Sequence, residues 1–267
     1  MVRKYFRLDG ADFKPGVAFT LIEMLVVIAV IGILAALLLP AIGKAKARER
    51  QMACVNNLHQ LQIGWSMYCD EHNGVLPLNI QEQTSYSLNA STTDSWVVGD
   101  ASVSADMAFI TQGAIYGYVG GPGVYHCPSD HSTIAASDAP RTRSYSMDFY
   151  LHGRLDPESA SLIPAGSQTG LLTRQSEIPF PSKAFVFLDE NEKTIEDGVF
   201  LLYRDPDLTW QNAPSDRHSQ GANLTFADGH SEHWKWRSPK RVRGLSEGVA
   251  SADDLHDLRR LQAALPP

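Results

Sequence analysis

His218, Asp228, His230 and His233 are the residues whose types first suggest chemistry, because imidazoles and a carboxylate in one short stretch can hold a metal or move a proton. The stretch reads RHSQGANLTFADGH, with nine residues between His218 and Asp228-Gly229. Spacing argues against a shared zinc. His230 and His233 are three apart, so on a strand they point to opposite faces. A turn accounts for the pattern better. Ala222 to Ala227 and His230 to Trp236 flank Asp228-Gly229, a dipeptide suited to a tight hairpin because both turn positions need positive φ. On this reading Asp228 and Gly229 shape the head, and His218 hydrogen-bonds loop backbone nearby.

A second cluster, Asp189, Glu190, Asn191, Glu192, Glu196 and Asp197, follows the apolar run Ala184 to Leu188. Oxygen-rich loops suit calcium, so Asp189, Asn191 and Asp197 are candidate calcium ligands. Asp189-x-Asn191-x-Lys193 nevertheless lacks the third oxygen and the glycine of an EF-hand loop. No other cofactor is expected. Catalysis finds no support, since no G-x-S-x-G, phosphate loop, H-E-x-x-H or Cys-x-x-Cys is present. The three cysteines are Cys54, Cys69 and Cys127. On an unbroken helix Cys54 and Cys69 lie about 22 Å apart, so any disulfide must involve Cys127. One bridge and three reduced or packed thiols both remain open.

The elements that would carry these residues begin with a membrane-grade run. FTLIEMLVVIAVIGILAALLL, from Phe19 to Leu39, is about 31 Å long as a helix, which matches a bilayer core. A signal peptide has a shorter apolar region and a small-residue cleavage site after it. Here Pro40 and the basic residues Lys44, Lys46, Arg48 and Arg50 follow instead. Glu23 sits inside the run. The apolar residues outweigh its insertion cost of about 3 kcal/mol, leaving two readings: a carboxylate with a partner, or one that snorkels to the surface. The chain carries 30 acidic and 23 basic residues, a net charge of −7. That sign disfavours nucleic acid as a partner.

Ala18-Phe19-Thr20-Leu21-Ile22-Glu23 before an apolar helix resembles the processing signal of type IV pilins and type II secretion pseudopilins. The resemblance implies cleavage between Ala18 and Phe19 by a membrane-embedded prepilin peptidase, with N-methylation of Phe19. Members of that family more often have Gly before the cut. Glu23 would then neutralise the amine of a neighbouring subunit during filament assembly, and Pro40 would mark a region that can melt. A plain helix break at the membrane surface explains Pro40 equally well. The spacing of His218 and Asp228-Gly229 is similar to the H-X9-DG motif of pilin-like proteins in Planctomycetes and Verrucomicrobia, as are Tyr125-His126-Cys127-Pro128-Ser129-Asp130 and Arg143-Ser144-Tyr145-Ser146-Met147. Some major pseudopilins carry calcium in the head, which supports weighing the acidic loop. Implied partners are the peptidase, other pilin or pseudopilin subunits, an inner-membrane assembly platform and lipid. The implied location is the bacterial inner membrane, spanned once, with the leader cytoplasmic, the head periplasmic and the assembled filament projecting outward.

Beyond Pro40, Cys54, Leu58, Leu61, Trp65 and Tyr68 recur at three- and four-residue spacing and give one apolar stripe. Asn73-Gly74 and Pro77 stop the helix. The expected organisation is a leader over 1–18, a transmembrane helix over 19–39, its amphipathic continuation over 40–76, a globular head over 77–237 and a tail over 238–267. Ser95 to Val98 and Ala184 to Leu188 read as strands, Ile110 to Val119 as a short helix. In the tail, Ser251 caps a helix striped by Leu255, Leu258, Leu261 and Leu265. The fold class is α+β: a long helix packed on a mainly antiparallel sheet, as in pilins. The expected role is a structural filament subunit and not an enzyme. The alternative is a membrane-anchored periplasmic enzyme or carbohydrate-binding head, which a convergent pocket of perturbed His and carboxylates would favour.

Overall fold

The computed structural model describes residues 20–82, 90–134, 137–155, 170–240 and 244–266. Ala18 and Phe19 lie outside the described residues. The chain divides into two units, Met1–Lys46 and Ala47–Pro267. One helix, α1 (Leu21–Glu71), runs from the first unit into the second and is continuous through Pro40. Its apolar start is long enough to cross a membrane, and Leu21, Ile22, Leu25, Ile28, Leu34 and Leu37 are exposed along it. The helix starts on a reciprocal cap. The Thr20 N–H and Oγ1 both donate to Glu23 Oε2, at 2.8 and 2.7 Å, and the Glu23 N–H returns a bond to Thr20 Oγ1 at 3.3 Å. This is a capping box, which satisfies amide donors at a helix N-terminus.

From Cys54 onward α1 buries one face, comprising Cys54, Leu58, Leu61, Gln62, Gly64, Trp65 and Cys69. Tyr68 is only half-buried and stacks on His72 at 3.8 Å. Termination comes where expected. Asn73 and Gly74 take φ of 55° and 78°, and the Gly74 N–H donates to the Cys69 carbonyl at 2.8 Å. That left-handed pair ends a helix while satisfying one of its last carbonyls.

The strands among the described residues are β1 (Asn79–Gln81), β2 (Tyr145–Asp148), β3 (Gly153–Leu155), β4 (Phe185–Asp189), β5 (Val199–Phe200), β6 (Thr209–Trp210), β7 (Gly221–Phe226), β8 (Ser231–Lys235) and β9 (Glu247–Gly248). The main sheet has the order β5-β2-β4-β7-β8. Its pairings are antiparallel except β2 with β5, and two small pairs, β1-β3 and β6-β9, lie outside it. One core gathers Leu58, Leu61 and Trp65 of α1 with Trp96, Tyr125, Met147 and Phe187. A second gathers Phe185, Phe200, Trp210, Leu224 and Trp236 with Leu258 and Leu261 of the tail. The fold is α+β, as the sequence implies.

Three local expectations change. Ser95 to Val98 is a buried loop: Ser95 makes a single bridge to Leu78, and the Val98 N–H donates to the Phe109 carbonyl. The region Ile110 to Val119 splits into α2 (Ala108–Thr111) and a 3-10 turn over Tyr116–Tyr118. The Asp228-Gly229 hairpin forms, but only Gly229 has positive φ, at 95°. The Gly229 N–H donates to the Phe226 carbonyl and the Phe226 N–H to His230, giving a three-residue loop with glycine in the left-handed position.

The tail helix α3 (Ala252–Gln262) begins at Ser251, whose hydroxyl accepts from the Asp254 N–H at 3.1 Å. Leu258, Leu261 and Leu265 are buried as the stripe implies, whereas Leu255 is half-buried. Asp254 and Asp257 take buried places on the docked face. Both bind Lys240, which is itself fully buried.

Candidate functional site

Four segments bring Cys54, Cys127, Asp189 and His218 together, with their ligand-type atoms all within 4.8 Å of one another and every residue buried. Among the described residues they are the one such group of three or more His, Cys, Asp or Glu side chains. Cys54 lies on the buried face of α1. One turn on, Asn57 Nδ2 donates to the His126 carbonyl at 2.9 Å, fixing the loop that presents Cys127 against the helix. The Cys127 N–H is held by Ser144 Oγ at 3.1 Å, and the turn closes with the Asp130 N–H on the Cys127 carbonyl. Asp189 ends β4, opposite Tyr145 of β2. His218 lies just before β7, on a turn whose Ser219 and Gln220 both have positive φ, at 55° and 60°.

The contacts converge. His218 Nε2 is 3.3 Å from Cys127 Sγ and 3.4 Å from Asp189 Oδ2. Cys54 Sγ is 3.9 Å from Asp189 Oδ2 and receives the Tyr145 hydroxyl at 3.3 Å. Ser215 Oγ donates to Asp189 Oδ2 at 2.7 Å, and Arg217 Nη2 lies 2.5 Å from Asp189 Oδ1. Arg217 also reaches Asp130 at 3.3 Å and Glu192 at 3.2 Å. Arg217 also lines a cleft of about 400 Å³ together with Asp130, His131 and Glu192.

Electrostatics follow from burial set against these partners. Burial would raise the Asp189 carboxyl, but Arg217 and His218 hold it below the ordinary carboxylate value. Burial likewise opposes the His218 cation, yet Asp189 and Cys127 lift it to about 9. A hydrogen bond from Cys54 brings the Cys127 thiol down to about 7, whereas burial pushes Cys54 well up. The arrangement is not a nucleophile, base and orienter in series. Such a relay uses opposite nitrogens of the imidazole. Here a single nitrogen, Nε2, faces both sulfur and carboxylate.

His218 therefore reaches a thiol and a carboxylate, where the sequence suggested loop backbone; only its N–H contacts the loop, at the Gly221 carbonyl. Asp228 and Gly229 remain at the hairpin. Asp228 Oδ1 pairs there with His230 Nδ1 at 2.5 Å, and His230 Nε2 lies 3.3 Å from Glu232, on the surface. Of the calcium candidates, Asp189 belongs to the buried cluster. Asn191 donates to the Lys240 carbonyl and accepts from the Lys193 N–H, and Asp197 accepts from the Val199 N–H. All three are buried. Cys69 is packed at the end of α1, apart from the other two cysteines; burial raises it to about 12.

Residues 45–119 match the family model described as a protein of unknown function (DUF1559). The match spans the packed part of α1 and about the first quarter of the head. No curated protein and no solved structure matches the chain.

Proposed function

We propose that this chain is a pilin-like subunit of a membrane-assembled filament of the type IV pilus or type II secretion kind, with a mechanical and not a catalytic role. The observation that carries the reading is α1 itself. Its apolar half is exposed along a membrane-spanning length, and the same unbroken helix then becomes a structural part of the head. An anchored enzyme would more often join anchor to domain through a flexible linker. On this reading prepilin peptidase cuts between Ala18 and Phe19, the chain spans the inner membrane once with the head periplasmic, and Glu23 meets the amine of a neighbouring subunit.

Co-expression with a prepilin peptidase tests the first step. Mass spectrometry should find a mature chain beginning at methylated Phe19; an intact Met1 would defeat the reading. The Glu23 step is separable from the Thr20 cap, because Gln can also serve in a capping box. Glu23→Gln should insert and be processed normally yet assemble no filaments. Normal filaments from that variant would leave the carboxylate with its capping role alone.

A further inference from the structure

The filament reading makes no use of the buried cluster. We propose that Cys54, Cys127, Asp189 and His218 form a tetrahedral zinc site that ties α1 to the head. Zinc bonds of about 2.3 Å to sulfur and about 2.0 to 2.2 Å to nitrogen and oxygen place tetrahedral ligands about 3.6 Å apart for S and N, 3.4 Å for N and O, and 3.6 Å for S and O. The corresponding separations here are 3.3, 3.4 and 3.9 Å. The shared direction of His218 Nε2 toward sulfur and oxygen marks a common centre between them. Two thiolates and an imidazole make a soft donor set that selects zinc over calcium or magnesium. Four buried protein ligands leave no open position, which is the pattern of a structural ion and not a hydrolytic one.

The surroundings fit an outer shell. Tyr145 donates to the Cys54 sulfur, while Ser215 and Arg217 orient the Asp189 carboxylate. Such partners fix ligand geometry and tune affinity. Two thiolates, one carboxylate and Zn²⁺ sum to a single negative charge, held beside the Arg217 guanidinium. Zinc uptake releases to solvent the protons held by the two thiols and by His218 Nε2, and changes no oxidation state.

The test uses the full chain in detergent, reduced and stripped with a chelator, then titrated with Co²⁺ as a coloured stand-in for zinc. Wild type and Cys69→Ser should each bind one equivalent, show thiolate-to-cobalt charge-transfer absorption, and lose it on adding Zn²⁺. Cys127→Ser and His218→Gln should bind about tenfold more weakly or worse. Absence of the charge-transfer band in wild type, or undiminished binding by Cys127→Ser, would overturn the site. Because a ligand variant could misfold, alkylation of wild-type protein isolated from an oxidising compartment gives a second measurement. Zinc ligation predicts that Cys54 and Cys127 become alkylatable on chelation without reductant. A Cys54 to Cys127 disulfide that persists through chelation would overturn the proposal.

Discussion

Asp148 shows how one buried side chain sets a pH response. Its Oδ1 accepts from the Tyr150 N–H at 3.2 Å, and its Oδ2 has no hydrogen-bond partner. Burial raises the carboxyl to about 8, with Tyr150 and Arg204 offsetting it only in part. The folded state thus holds the proton more tightly than the unfolded chain, whose Asp titrates near about 3.9. Stability from this group is complete below about pH 4 and is lost as pH rises toward 8. Asp148→Asn, which keeps the shape without the charge, should raise the melting temperature strongly at pH 8 and much less at pH 5. The gain at pH 8 is on the order of a few kcal/mol. Equal melting shifts at the two pH values would show that the carboxyl stays ionised in the fold.

The element that organises the head is the second half of α1, and its working face is narrow. Leu61 is fully buried in the core, whereas Ile63, two residues on, is 45% exposed. Leu61→Ala should cost about 2 to 5 kcal/mol by leaving a cavity, while Ile63→Ala should stay within about 0.5 kcal/mol. Denaturant melts of both variants check this, and similar losses would mean that the helix seats by a different face. That face was legible in the sequence because Cys54, Leu58, Leu61 and Trp65 keep helical spacing, and Asn73-Gly74 announced the stop. The cap at Thr20 is written in the sequence as T-x-x-E, but a carboxylate inside an apolar run reads equally as an intramembrane charge, so the pattern does not single out a cap. Ser95 to Val98 misled because Trp and Val report burial rather than ladder pairing. The metal-type cluster was hidden for another reason. Its members each stand out in the sequence, but Cys54 lies 135 residues from Asp189 and Cys127 lies 91 from His218. No spacing rule joins ligands that only the tertiary fold assembles.

For the molecule as a whole, what closes the head is the return of the tail, and charge as well as the leucine stripe holds it. Lys240 Nζ lies 2.8 Å from Asp254 and 2.9 Å from Asp257, all three fully or almost fully buried. The ammonium also sits over the rings of Trp210 and Trp236, at 4.8 and 5.8 Å. Both carboxylates do further work, since Asp254 accepts from the Trp210 indole and Asp257 from the N–H groups of Arg237 and Ser238. A leucine stripe alone could slide along the sheet, but these bonds give α3 one register. Desolvating three charges is costly, so the group as a whole adds little net stability, yet removing one partner leaves buried charge uncompensated. Lys240→Met fills the same space without the cation and strands two carboxylates. It should cost about 3 to 5 kcal/mol, and Lys240→Met combined with Asp254→Asn and Asp257→Asn should recover part of that loss. Thermal melting of the single and triple variants decides the matter. If the triple variant is no more stable than Lys240→Met, stranded carboxylate charge is not the source of the loss, and the charge account of the tail's register fails.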